Sequence, residues 1–304
     1  MSLATLHTPS AYLLVFHGSR DRRPREAAEK LSAYFSWRIQ HLPPAPPIST
    51  RMTQTAAGYL ANHQPGNQSS DQSPDQLPQS NGFATSTLNP PVVEIASLEC
   101  VSESLHAQII RFSQPFQAKG ASVVRCEPVR VQVLPLFLLR GMHVMEDIPR
   151  EVDLAQQALG TGVQLEITPH LGSHPGLRRL ISERMAALPV EAWILLAHGS
   201  RRPGANQSVE ALAEWLGAIP AYWSVPPSLD TCLRDLVNSG TKRIALFPYF
   251  LFEGSVTDAI ARQVADLSLA FPLLELHLTS PLDATPELAD LLVDLAGGQG
   301  TDSG

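Results

Sequence analysis

Cysteine is scarce: Cys100, Cys126 and Cys232 are the three in 304 residues, and no two have CxxC spacing. That pattern argues against a disulfide framework and a thiolate metal site, and suits free or buried thiols in a reducing compartment. No apolar run approaches the roughly 18 residues of a membrane span. Positive charge is also short, with 22 Lys and Arg against 29 Asp and Glu, a net charge of -7 and a pI near 5.8. A general nucleic-acid binder would carry a basic face, so an anionic partner must be met by a local patch. The opening MSLATLHTPSAY lacks the charged-then-apolar pattern of a secretory leader. A cytoplasmic protein with no nucleic-acid or membrane partner is therefore expected. Neither a G-x-G-x-x-G nor a Walker loop occurs, and no G-x-S-x-G elbow supports a hydrolase reading of Ser19.

What is present is ordinary globular material, 44% hydrophobic and 17% charged. A chain of this length is expected to divide into two domains, each with its own core. AYLLVF reads as a buried strand, followed by a turn and a helix with Ala27, Leu31, Tyr34 and Phe35 on one face. VVEIASLE, VRVQVLPLF and VQLEI read as further strands, each followed by a helical pattern. Such alternation predicts a parallel sheet with helices on both faces. Between about 41 and 91 the composition turns to Pro, Gln, Ser and Asn, which cannot bury enough surface to offset its ordering entropy; a disordered insertion is expected there.

The order then repeats. WILLAHGSRRPGANQSVEALAEWL answers LLVFHGSRDRRPREAAEKLSAYF, and KRIALFPYFLFEGSVTDAIARQV answers VRVQVLPLFLLRGMHVMEDIPREV. A repeat through both halves is the sign of a duplicated domain. The expected fold is α/β, with two tandem doubly wound parallel-sheet domains: 1–188, containing the insertion, and 189–304, the junction falling at Leu188 and Pro189.

In a doubly wound sheet, ligands bind where loops converge at the carboxyl ends of the strands. His17 follows LLVF, Glu99 closes VEIASLE, and His143 lies in the loop after VQVLPLF. Two imidazoles and a carboxylate form a set suited to divalent iron, cobalt, nickel or zinc. Taken singly, each has a plainer reading: a loop-bonding histidine, a solvated strand-end carboxylate, and a histidine steadying the turn after Gly141. The duplicate supplies a control. Aligning HGSR on HGSR, Ser104-Leu105 on Ser228-Leu229 and Pro135 on Pro248 sets Trp223 opposite Glu99 and Val256 opposite His143. His170 and His174 meet Pro281 and Thr285. One polar site and one scaffold half are expected, with His198 dispensable.

HGSR after the first strand, the strand-end LE, and PLFLLRGMHVMEDIP together resemble the sirohydrochlorin chelatase family, the CbiX/SirB-type class II chelatases, in their two-domain form. The likeness covers nearly all the chain outside the insertion. It implies an ATP-independent metal chelatase that inserts Fe2+ or Co2+ into sirohydrochlorin, in siroheme or cobalamin biosynthesis. The metal is a substrate, and no cofactor is permanently bound. The family's metal-binding His, Glu and His fall on His17, Glu99 and His143, with His17 and His143 expected to be catalytic as well. The chain lacks the His-rich tract and iron-sulfur motif of some long members, so no attached redox centre is implied. A flat, carboxylate-ringed tetrapyrrole calls for apolar walls and a cationic rim. Ser19, Arg20, Phe137, Arg140 and Met142 are the expected substrate contacts, with Arg22, Arg23 and Arg25 as further guanidinium forks unless they form a solvated helix start. A non-catalytic tetrapyrrole or metal carrier is the alternative, and a phosphate-binding protein a more remote one. A monomer with two pseudo-symmetric domains is expected.

Overall fold

The computed structural model describes residues 11–41, 91–120 and 128–298; the stretch expected to be a disordered insertion, and Cys126, lie outside them. The first half runs β1 (Ala11–Phe16), α1 (Arg23–Gln40), β2 (Val92–Ser97), α2 (Leu105–Gly120), β3 (Val129–Pro135), α3 (Ile148–Leu159), β4 (Val163–Ile167) and α4 (Pro175–Ala186). The second repeats it as β5 (Ala192–Ala197), α5 (Gln207–Leu216), β6 (Ile219–Tyr222), α6 (Leu229–Asn238), β7 (Arg243–Pro248), α7 (Ser255–Ala270), β8 (Glu275–Leu278) and α8 (Pro286–Ala296). Each half holds a four-stranded parallel sheet, ordered β2-β1-β3-β4 and β6-β5-β7-β8.

Strand β1 is apolar throughout because the sheet is covered on both faces, and all six of its residues are buried. Its alternation divides it between two cores. Ala11, Leu13 and Val15 join an outer cluster with Ile109 and Phe112 of α2 and Val152 and Ala155 of α3. Tyr12, Leu14 and Phe16 face the opposite way, against Leu31 and Phe35 of α1. Helix α1 starts with a proline in its first turn, as do α3, α4 and α8. Proline's fixed φ suits that position, where its missing N–H has no intrahelical acceptor.

Each half buries a cluster of its own, and a third cluster is shared between them. The outer clusters are separate, one on α2 and α3 and the other on α6 and α7. The middle one is continuous across the duplication: Tyr12, Phe35, Ile181 and Leu195, Val209, Leu292 belong to one buried cluster. Helix α1 packs on α8, and α4 packs on both α5 and α8. The apolar faces of these four helices leave water by meeting each other as well as their own sheets, so the two halves cover one another.

The sheet order fixes where chemistry can sit. Strand β1 lies between β2 and β3, so the loops leaving these three strands emerge side by side from their carboxyl ends. The chain turns to opposite sides of β1 for β2 and β3, which makes this the switch point at which a crevice opens.

Candidate metal centre

His17 directly follows β1, and the β1–β2 ladder continues past both strand ends: Leu98 N–H donates to Phe16 O at 2.9 Å and Glu99 N–H to His17 O at 2.8 Å. These bonds put Glu99 beside His17 despite a separation of 82 positions in sequence. Gly18 permits the approach. Its φ is +92°, and a Cβ built there would sit 2.0 Å from the Glu99 carbonyl oxygen, so only glycine serves at this turn.

His143 arrives from β3 on a different device. Residues His143–Asp147 form a π-helical turn leading into α3, the kind of irregularity that recurs at functional sites. The turn brings Asp147 Oδ2 to 2.8 Å from His143 Nδ1, and Arg150 holds the other carboxylate oxygen at 3.3 Å. A carboxylate partner places the proton on Nδ1 and leaves the Nε2 lone pair outward. His17 has the same polarity, because its Nδ1 lies 3.1 Å from the Gly18 carbonyl oxygen, which can only accept.

The three side chains converge: one donor atom from each of His17, Glu99 and His143 lies within 4.8 Å of the others. His17 Nε2 is 3.8 Å from Glu99 Oε2, and the two imidazoles meet edge to face at 4.9 Å. Three ligand atoms about 2.1 Å from a shared ion stand about 3.0–3.6 Å from one another. Movements of about an ångström close the set around a divalent cation. Half of the His17 and Glu99 side-chain surface is exposed, so the rotamers have room to adjust.

The remaining expected contacts fall around this centre in different ways. Phe137 is half-buried and lies beside both imidazoles, with ring centroids 6.4 Å from His17 and 5.8 Å from His143. Ser19 Oγ accepts from Asp21 N–H at 3.0 Å, shaping the turn before α1. Arg20, Arg140 and Met142 are exposed. Arg140 Nε reaches the Met145 thioether at 2.9 Å. Among the described residues neither Arg20 nor Arg140 has a carboxylate partner.

The rest of the arginine cluster needs correction, because the protein satisfies it internally. Arg23 bonds Asp21 Oδ2 and, with both terminal nitrogens, the Asp258 carboxylate at the start of α7. Arg25 pairs with Glu29 and Arg22 with Glu26. Hydrogen bonds from Arg23 hold the Asp21 and Asp258 carboxyls below their usual range. Arg23 is thus a clasp between the halves at the edge of the site.

The internal alignment is also shifted by one residue. Ser224 N–H donates to His198 O at 2.9 Å, as Glu99 N–H does to His17 O, so Ser224 and not Trp223 stands where Glu99 does. The loop to the next helix is one residue shorter in the second half, Ser224 to Ser228 against Glu99 to Ser104, and that displaces an alignment anchored at Ser228. His174 also changes meaning. It caps α4, its Nδ1 accepting from Gly176 N–H at 3.0 Å, and its counterpart Thr285 caps α8 through Leu288 N–H. The imidazole is not lost from a second site; one cap replaces another.

Two contributors lay beyond sequence reasoning. Asp147 had a visible signal, four residues after His143 on a helical pattern. Gly172 had none: a Cβ there would meet the Leu138 carbonyl oxygen at 1.9 Å, so glycine lets the loop after β4 close on the loop after β3. A cleft of about 470 Å³ opens between the halves, lined by His17, Ser19 and Leu136 on one side and His198, Leu251 and Glu253 on the other.

A profile of the CbiX family matches residues 87–188 and again 192–297, so the chain belongs to the CbiX family, with two copies of its unit. It is 22% identical over 204 residues to the sirohydrochlorin cobaltochelatase of Priestia megaterium, covering 62% of this chain and 66% of that one. It is 24% identical over 199 residues to the sirohydrochlorin ferrochelatase of the same organism, covering 60% and 68%. The match to the cobaltochelatase thus spans just under two thirds of that protein's length. Its fold is similar to that of SirB from Bacillus subtilis with Fe3+, at a TM-score of 0.62 and 19% identity over 96% of both chains. A CbiX described as the terminal enzyme of siroheme biosynthesis in denitrifying bacteria superposes at 0.54 with 17% identity, over 96% of this chain and 100% of that one.

Proposed function

We propose that this chain inserts a divalent metal, Fe2+ or Co2+, into sirohydrochlorin without ATP, in the cytoplasm and on a route to siroheme or cobalamin. One observation carries the reading: the strand ends bring His17, Glu99 and His143 together beside a cleft between the halves. The two Priestia megaterium relatives, named for the cobalt and iron reactions, supply the substrate class. We assign residues 1–188 to the domain carrying the site and 189–304 to its partner.

In this reading the metal is a substrate held for transfer. His17 and His143 offer neutral Nε2 lone pairs, Glu99 offset the ion's charge with its carboxylate, and Asp147 fixes the orientation of the His143 ring. Three protein ligands leave further coordination positions open to the pyrrole nitrogens. Phe137 and Met142 give apolar surface for the macrocycle face, while Arg20 and Arg140 supply guanidinium groups for its rim carboxylates. Ser19 shapes the turn at the cleft wall.

The test is an anaerobic assay of sirohydrochlorin with Fe2+, Co2+ or Ni2+, following the absorption change on metalation. Acceleration that is lost in His17→Ala and in His143→Ala is expected. Tight binding of metal and tetrapyrrole without acceleration would instead establish a carrier.

A further inference from the structure

The second HGSR histidine stands where the scaffold reading leaves it nothing to do. His198 lines the same cleft as His17, on the wall contributed by the other half. Among the described residues it has no partners for a metal: Ser224 stands in the place of Glu99, and Val256 in that of His143 under the alignment of Pro135 with Pro248. Packing does not require its ring either. The side chain is exposed, and among the described residues its ring nitrogens meet only its neighbour's carbonyl, Gly199 O, at 3.1 Å and Ser224 Oγ at 3.5 Å. The structural duty of the motif belongs to Gly199, whose φ of +80° and crowding against Tyr222 and Val225 exclude a side chain.

The hydrogen bond to Gly199 O decides the tautomer. A carbonyl only accepts, so Nδ1 carries the hydrogen and Nε2 keeps a basic lone pair. The two metal-holding histidines offer no such group once loaded. With a cation bound, the Nε2 lone pairs of His17 and His143 are engaged by it, while their Nδ1 atoms donate to Gly18 O and Asp147.

Resting on the chelatase reading, we infer that His198 is the proton acceptor for metal insertion, acting across the cleft from the metal-holding wall. Insertion breaks two pyrrole N–H bonds, and both nitrogen electron pairs go to the metal, with no change of oxidation state. One proton passes to His198 Nε2, giving an imidazolium that later releases it to water. The other passes to solvent water in the cleft. His17 and Glu253 are the other ionisable side chains lining this cleft. Duplication thus kept two copies of one turn and gave their histidines different tasks.

The experiment compares full-length wild type with His198→Ala, His198→Gln and the distant control His277→Ala. In both His198 variants kcat is expected to fall by about 10²-fold, within the span of general-base contributions, while KM for sirohydrochlorin and Co2+ affinity in the absence of tetrapyrrole stay unchanged. Added imidazole should restore turnover to His198→Ala, which a structural role would not allow. The melting temperature of His198→Gln checks that the fold is intact. Wild-type kcat in a folded His198→Gln overturns the proton role while leaving the chelatase reading standing. No acceleration by the wild type overturns both.

Discussion

Glycine 18 has as much authority over the metal centre as the donor residues do. Its missing side chain lets the Glu99 carbonyl pass within 2.0 Å of where a Cβ would stand. Gly18→Ala is therefore expected to pry Glu99 away from His17, and Co2+ titration should show weakened binding while circular dichroism shows a retained fold. Asp147 acts more gently. Asp147→Asn removes the charge that orients the His143 ring, and losses of about 10–100-fold in metal affinity are typical for such partners; an unchanged Co2+ dissociation constant would contradict this role. At this scale the sequence was partly legible. The donor trio followed from strand ends, because a strand end is a place the chain announces by its apolar run. The offset at Ser224 and the internal pairing of Arg23 did not, because a one-residue loop difference and a carboxylate 235 positions away leave no local trace.

Elements carry a different lesson, set by how their ends are closed. Short apolar runs marked strands such as β1 and β3, since a parallel sheet covered on both faces asks for apolar residues throughout. The cap of α4 was not legible, because a histidine is not an expected N-cap. His174 is nearly fully buried, and burial pushes its imidazole below its ordinary value despite the opposing influence of Asp294. A histidine depressed in the folded state binds its proton more readily when unfolded. Its contribution to stability is therefore complete above the unfolded value of 6.5 and is lost as pH falls through the lower folded one. His174→Thr imports the cap that the second half already uses. It should keep the melting temperature at pH 7.5 and flatten its decline below pH 6.5, whereas His174→Ala should cost about 1 kcal/mol at pH 7.5 and progressively less as pH falls below 6.5.

For the whole molecule, the duplication was legible and its energetic consequence was not. Repetition of motifs says that two units exist, but whether their apolar faces meet depends on which helix faces are left uncovered, and each helix pattern looks alike in that respect. Because Tyr12 and Leu292 share one cluster, truncation after Leu188 should expose the inner faces of α1 and α4 and yield an aggregating product. A cooperative melt of residues 1–188 alone would show the halves to be independent. The Arg23 clasp adds an electrostatic tie. Asp21 and Asp258, held below the usual carboxylate range, stabilise the folded chain above that range and cease to do so as pH falls through their lowered values. Asp258→Asn should accordingly lower the melting temperature at neutral pH and blunt its acid dependence.

The two backbone bonds that carry β2 past its end to meet His17 make the site indifferent to the covalent path between its parts. What aligns Glu99 with His17 is register, and register is enforced locally by the ladder from Ala11–Val92 to Phe16–Ser97. The protein can thus be regarded as two fragments that happen to be joined between residues 42 and 90. Expressed as separate polypeptides divided within that span, they retain every described strand and helix, and co-expression should reconstitute a noncovalent complex with the metal affinity of the intact chain.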